Sequence, residues 1–259
     1  MINRVILGDC LEVMTHIPDG SVDAVIADLP YGKTSAPWDK PLAFDRLWEA
    51  YRRIVKPDGA IVLFADQPFT SLLVASNLPM FKYTWVWKKS RPIGHTNAKL
   101  KPMNAHEDIA VFSRGATANG AKMNMVYNPQ GLTRVDRAWK RPRNYFTDAA
   151  TNPARASHKL ERMIEFTGYP RSVLEFENPN DKQRHPTQKP LPLLDYLVRT
   201  YTSPGDLVLD NCCGSGSLLI AAKAAGRRFI GIEKDPLFHQ GAVEWLADPE
   251  PSRKAVNDD

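Results

Sequence analysis

Two short segments of the chain hold residue types whose spacing could do chemistry. The first is Asp28-Leu29-Pro30-Tyr31-Gly32, which closes the apolar run 22–27 with an acid, a rigid turn and an aromatic ring. An amine attached to an aromatic ring is a poor nucleophile, because its lone pair is delocalised into that ring. A carboxylate and a backbone carbonyl that accept its two N–H bonds would localise the pair on nitrogen. An aromatic face beside them would hold the ring by stacking. Asp28, the carbonyl of Leu29 and the ring of Tyr31 bring these capacities together, with Pro30 stiffening the turn. Taken alone, the same residues also fit a turn after a strand, with Asp28 as its cap.

The second segment is Leu207-Val208-Leu209-Asp210-Asn211-Cys212-Cys213-Gly214-Ser215-Gly216-Ser217. It reads as a strand that runs into a Gly-x-Gly turn and then a helix. Such glycines adopt positive φ and let a ligand approach the backbone. About 20 residues on, Glu233 ends Ile230-Gly231-Ile232-Glu233, where a carboxylate can accept hydrogen bonds from both ribose hydroxyls of a nucleoside. Dinucleotide binding would require a third glycine three positions after Gly216, where Leu219 stands, and no P-loop lysine follows. A nucleoside cofactor without pyrophosphate, such as S-adenosylmethionine, fits better. Asp9 ends another apolar run in Gly8-Asp9-Cys10. It can accept from the adenine of such a cofactor or cap the helix that comes next.

The elements that must position these residues alternate between strand and helix. Apolar runs at 5–7, 22–27, 60–65, 83–87 and 109–112 read as strands. The spacing of Phe44, Leu47, Trp48, Tyr51 and Ile54 predicts a helix over 44–55, ended by Pro57-Asp58-Gly59. From 113 to 184 the pattern weakens into scattered Pro, Asn, Gly and basic residues, with short helices expected around 154–166. Beyond it lie a helix over 191–201, a strand over 207–210, a helix over 218–225 and a strand over 228–233. Alternation of this kind predicts a mostly parallel sheet with helices on both faces. Ligands of such sheets sit outside the carboxyl ends of the strands, where both segments fall.

Bulk properties narrow the function classes. The 259 residues suffice for one large α/β domain with an insertion. No apolar run approaches the roughly 18 residues of a membrane span, and the N-terminus lacks a secretory core, so a cytoplasmic protein is expected. The cysteines, Cys10, Cys212 and Cys213, lack zinc or disulfide spacing and read as small buried residues, and no metal is expected. Net charge is +5 but uneven: residues 88–189 hold 19 Lys and Arg against 9 Asp and Glu. There Trp139, Tyr145, Phe146 and Tyr169 interleave with Arg137, Lys140, Arg141 and Arg143. That mixture suits a nucleic acid, and equally a solvated face.

With these motifs in view, the chain resembles the β-class amino-methyltransferases of DNA, over most of residues 1–114 and 185–240. Asp28-Leu29-Pro30-Tyr31 resembles the family's Asp-Pro-Pro-Tyr motif, and Asp210 to Ser217 its Asp-x-Phe-x-Gly-Ser-Gly-Thr loop. His185-Pro186-Thr187-Gln188-Lys189-Pro190 is similar to the segment that binds the methionine end of the cofactor, and Ile6 to Leu11 to the opening strand and acid. Leu29 stands where proline is usual, but the group required there is a backbone carbonyl. Cys212 replaces a phenylalanine near the cofactor.

The resemblance implies a Rossmann-like, S-adenosylmethionine-dependent methyltransferase sheet (α/β) with a circularly rearranged motif order and a loop-rich basic insertion. It implies catalytic roles for Asp28, Leu29, Pro30 and Tyr31. Cofactor contacts are implied for Asp9, Cys10, Asp28, Thr187, Lys189, Asp210, Asn211, Cys213, Gly214, Ser215, Gly216, Glu233 and Lys234. The substrate implied is adenine N6 in double-stranded DNA, since an acid rather than serine at position 28 is the family's usual sign for adenine. Cytosine N4 is the alternative, and an inactive DNA-binding protein on this scaffold a further one. Residues 1–114 with 185–247 would form the catalytic domain, 115–184 a target-recognition insertion and 248–259 a polar tail. Homodimers are common in the family, although no interface stripe is identifiable in the sequence.

Overall fold

The structure is a computed structural model that describes residues 1–34, 36, 39–140, 161–179 and 188–248. The chain divides into two compact units, Met1–Asn128 with Ser172–Asp259, and Pro129–Arg171. The first unit opens with β1 (Arg4–Leu7), the short helix α1 (Cys10–Val13), β2 (Val22–Asp28) and α2 (Phe44–Ile54). It continues through β3 (Val55–Ala65), α3 (Phe69–Ser76), β4 (Phe81–Ile93) and β5 (Asn104–Phe112). The second unit holds the antiparallel pair β6 (Thr133–Lys140) and β7 (Glu161–Thr167). The first unit resumes with β8 (Val173–Phe176), α4 (Leu191–Tyr201), β9 (Leu207–Asp210), α5 (Ser217–Ala224), β10 (Arg228–Glu233) and α6 (Pro236–Ala247).

Eight strands form one sheet in the order β1-β10-β9-β2-β3-β5-β4-β8. The first five are parallel, so the ends of β1, β2, β9 and β10 share one edge. β5 runs antiparallel to both β3 and β4. That reversal carries the beginning of β5 to the edge where the parallel strands finish, with Asp108 opposite Ala65 and Glu107 opposite Trp87.

Alternation along the strands divides the core between the two faces. Val25, Ala27, Ile61, Leu63, Ala110 and Leu209 pack on one side with Leu47, Trp48, Tyr51 and Ile54 of α2. Ala24, Ile26, Val62, Phe64, Ile109 and Val208 pack on the other with α4 and α5. Tyr201 at the end of α4 is fully buried, and its hydroxyl accepts from Trp85 Nε1 at 2.6 Å. Burial on both faces makes β2 a rigid mount for the turn at its end.

Several local features differ from the expectations of the sequence. Pro57-Asp58-Gly59 ends α2 as expected but lies within β3, as an irregularity where Val22 pairs with Val55 and Ala24 with Ala60. Residues 161–167 form β7 rather than a helix; the alternation of Ile164 and Phe166 with polar neighbours suits a paired strand. Residues 154–160 lie outside the described residues. Helix α6 is not expected from the sequence; Phe238, Ala242, Trp245 and Leu246 form its inward face, and Leu237 is exposed. Among the described residues no helix is long and apolar enough to cross a membrane.

Gly59 is fixed by space. A Cβ there would sit 2.5 Å from the Asp23 carbonyl oxygen and 2.7 Å from Val55 Cγ1. Gly59→Ala is therefore expected to strain the β2–β3 pairing and cost about 1–3 kcal/mol of stability. A lowered urea midpoint in equilibrium unfolding would show it, and an unchanged midpoint would refute it.

Candidate active site

β2 delivers Asp28 to the edge of the sheet, where its carboxylate meets two partners. Oδ1 accepts from the Tyr31 hydroxyl at 2.6 Å, and Oδ2 accepts from Lys189 Nζ at 2.6 Å. Lys189 also lies 3.0 Å from Glu107 Oε1 and 5.1 Å from the centre of the Phe64 ring. The Tyr31 hydroxyl reaches Glu107 Oε1 as well, at 2.9 Å. Lys89 of β4 closes the set at 3.1 Å from Glu107 Oε2. Two acids, two ammonium groups and a phenol thus occupy one largely buried cluster.

Burial and opposed charge set the protonation of this cluster. Burial drives the Asp28 pKa up, the Lys189 ammonium opposes it and the Glu107 charge adds to it, with a raised value as the outcome. Burial works against charge on Glu107 too, but Lys189 and Lys89 together hold its carboxyl below the usual range. Burial likewise opposes charge on Lys189, and the Asp28 and Glu107 carboxylates outweigh it, so its pKa rises. Burial and both carboxylates push the Tyr31 phenol far up, so it remains a donor.

The loop after Tyr31 is tied down by Asp39. Its carboxylate accepts from the N–H groups of Gly32, Lys33 and Thr34 at 2.8, 2.8 and 2.6 Å. Gly32 takes φ of +71°, and a Cβ there would run into Pro41 at 2.7 Å. The Tyr31 ring stacks on Phe69 with centroids 4.9 Å apart, so one of its faces is already covered.

A second group of residues gathers at the ends of β1, β9 and β10. Glu233 Oε2 accepts from the Gly214 N–H at 2.8 Å, and Oε1 accepts from the Asp235 N–H at 2.8 Å. Each oxygen keeps a lone pair for a hydroxyl of a ligand. Asp9 caps α1 through Oδ1, which accepts from the Leu11 N–H at 3.0 Å, while Oδ2 lies 3.1 Å from Lys234 Nζ. The helix cap expected as one option for Asp9 is thus present, and the residue still lines the cleft. Asp210 is buried, which pushes its carboxyl pKa well up against the Cys212 N–H that donates to it. Asn211 is pinned by the Tyr51 hydroxyl at 2.6 Å. All three cysteines are free thiols.

Both groups line one cleft of about 750 Å³. Its walls include Asp28, Leu29, Pro30 and Tyr31 on one side. Asp9, Cys10, Asp210 and Asn211 stand on the other, with Cys213, Gly214, Ser215, Glu233 and Lys234. Gly216 is not in the lining: it caps α5 at φ of +84°, where a Cβ would press on Ala242. Lys189, grouped with the cofactor residues in the sequence, points its ammonium between Asp28 and Glu107. Thr187, with His185 and Pro186, lies outside the described residues. Glu107 and Lys89 are not among the residues expected from the sequence. The signal present was an acid and a lysine beside apolar strand residues, in His106-Glu107-Asp108 and Trp87-Lys88-Lys89.

A glycine turn, a carboxylate with free lone pairs and a motif that can orient an amine, all in one cleft, suit a methyl-transfer enzyme on a mostly parallel sheet. A model described as DNA methylase, of the N6/N4 type, matches residues 22–244. The chain belongs to this family of amino-methyltransferases of DNA, which depend on S-adenosylmethionine. The type II methyltransferase M.HpaI of Haemophilus parainfluenzae is 28% identical over 261 residues, covering 95% of this chain and 74% of that protein. The crystal structure of the M1.HpyAVI–SAM complex has a TM-score of 0.63 at 23% identity, covering 95% of this chain and 99% of that one. The cytosine-N4-specific PvuII DNA methyltransferase has a TM-score of 0.63 at 16% identity, covering 96% and 88%. The fold is the Rossmann-like methyltransferase sheet, with the motif on β2 preceding the glycine loop after β9.

Removing the central ammonium should expose its structural role. Lys189→Met leaves two buried carboxylates facing each other and is expected to cost about 3–5 kcal/mol at neutral pH. Protonating either acid relieves the repulsion, so the deficit against the wild type should shrink as pH falls. The Lys189 contribution in the wild type, whose pKa is raised by folding, is complete below the unfolded lysine value near ~10.4 and is lost only above it. Urea unfolding of both proteins across pH 5–9 (a range of roughly this span suffices) checks it; a deficit independent of pH would contradict it.

Proposed function

We propose that the protein methylates the N6 amine of adenine in double-stranded DNA, with Asp28 as the acceptor that orients the amine. The reading is carried by the Asp28 carboxylate at the end of β2, held 2.6 Å from Lys189 in the cleft that also contains Glu233. An acid at this position, where serine is the other family choice, favours adenine over cytosine. The target base leaves the stack, because its amine cannot reach a buried methyl donor inside the duplex. Asp28 and the Leu29 carbonyl accept the two N–H bonds, and Tyr31 borders the base with the ring face that Phe69 leaves uncovered. Asp28 then takes the proton released by the methylated amine, which its raised pKa favours.

The residues at the ends of β1, β9 and β10 fit S-adenosylmethionine. Bound there, it supplies an electrophilic methyl group on a sulfonium. Glu233 would accept from the ribose hydroxyls, Asp9 and Lys234 would border the adenine, and Gly214 and Ser215 would allow close approach. Asp210 and Asn211 would form the cleft floor, with Cys10 and Cys213 as small apolar walls. Residues 115–184 would meet the DNA; within them β6 presents exposed Arg134 and Arg137.

Transfer of labelled methyl groups into duplex DNA, followed by hydrolysis to nucleosides, tests this reading. Label in N6-methyldeoxyadenosine is expected; label in N4-methyldeoxycytidine would overturn the base assignment. Asp28→Ala should abolish transfer while calorimetry finds cofactor binding largely intact. Glu233→Ala should instead weaken cofactor binding by about 10-fold to 100-fold, the equivalent of one charged hydrogen bond. Retained transfer in Asp28→Ala would contradict the assignment. The single-turnover rate should fall on acidification, because only ionised Asp28 accepts the amine. Its raised pKa places that fall above the ordinary aspartate range near ~4.

A further inference from the structure

The Tyr31 hydroxyl stands between two carboxylates and has one proton to give. Its oxygen lies 2.6 Å from Asp28 Oδ1 and 2.9 Å from Glu107 Oε1. Whichever acid receives that proton loses basicity, and the other keeps it. Glu107 is buried at 5% exposure and lies on a different strand from the Asp28 motif. Lys89 backs it at 3.1 Å on the oxygen that Tyr31 does not touch, and itself lies over the Trp87 ring at 5.4 Å. A carboxylate, a lysine and a shared phenol aimed at a neighbouring acid form more than a fold-stabilising pair.

We infer that Glu107 is a positioning residue for methyl transfer: by sharing the Tyr31 and Lys189 donors it weakens their hold on Asp28 and leaves Asp28 the stronger acceptor for the target amine. The inference rests on the proposed role of Asp28 in accepting that amine. The charged and titratable groups that face Asp28 among the described residues enter the balance. Lys189, which precedes α4, donates to it; Tyr31 donates from the adjoining loop; Glu107 repels from β5; Asp210 repels from the end of β9. Lys33 and Asp66 line the same cleft but pair with each other at 2.6 Å. The charge of Glu107 contributes to the raised Asp28 pKa, whereas the Tyr31 hydrogen bond opposes it. Glu107 therefore strengthens Asp28 twice, by its charge and by its claim on the Tyr31 proton.

Substitutions at the two ends of this chain of contacts shift the balance in opposite directions. Glu107→Gln removes the repelling charge and weakens the competition for the Tyr31 and Lys189 donors, so Asp28 becomes less basic. Lys89→Gln leaves Glu107 more basic and removes a nearby positive charge, so Asp28 becomes more basic. Single-turnover methyl transfer to duplex DNA, measured across pH at saturating S-adenosylmethionine, reads both. Glu107→Gln should shift the acidic limb to lower pH and slow transfer about 10-fold at neutral pH, with the KM for S-adenosylmethionine unchanged. Lys89→Gln should shift the limb the opposite way, and Glu107→Asp should restore most of the rate. Unmoved limbs in both variants, alongside inactive Asp28→Ala, would overturn the inference and leave the Asp28 role standing. Should Glu107→Gln fail to fold, the Lys89→Gln limb decides: an upward shift supports the inference and an unmoved limb overturns it.

Discussion

The Lys189 ammonium, wedged between the Asp28 and Glu107 carboxylates at 2.6 and 3.0 Å, is the interaction on which the site depends. Two acids this close in a buried setting repel each other strongly enough that one would remain protonated. The ammonium lets them share the space, and burial is tolerable because each charge has a partner. The arrangement joins three parts of the chain that lie far apart in sequence: the end of β2, the start of β5 and the turn into α4. Forming this cluster therefore requires β2, β5 and the turn into α4 to come together.

The sheet imposes the complementary constraint. Five parallel strands present their carboxyl ends along one edge, and both motifs lie there because only there does the chain leave the sheet in turns free to bind ligands. Helices on each face bury β2, β3 and β9 almost completely, so the turns after them are held by rigid supports. Asp39 and the Gly32 turn then fix the Tyr31 loop, and the Glu233–Gly214 hydrogen bond ties the turn after β9 to the end of β10.

Much of this was legible in the sequence, for a physical reason. The motif at 28–31 and the turn at 210–217 are contiguous, so their chemistry and their place at strand ends can be read locally. Glu107 and Lys89 could not be read this way. Each becomes part of the site only because β5 runs antiparallel, which brings the beginning of one strand and the middle of its neighbour to the edge where the others end. Strand direction is decided by long-range pairing, not by local pattern. Residues 161–167 are a similar case: their pattern is short, and pairing with β6 decides it. The resemblance points to Lys189 as a cofactor residue, but its ion pairs with Asp28 and Glu107 are not legible, because sequence does not show which way a long side chain points.

The proposed chemistry of the cleft, methyl transfer guided by Asp28 to adenine N6 of DNA, would leave its mark in the genome. Mapping modified bases across the genome of a methylation-free host that expresses the wild-type protein or its Asp28→Ala variant tests it directly. N6-methyladenine is expected at one recurring sequence in the wild-type cells and none in the variant. N4-methylcytosine at that sequence, or adenine methylation that persists in the variant, would contradict it.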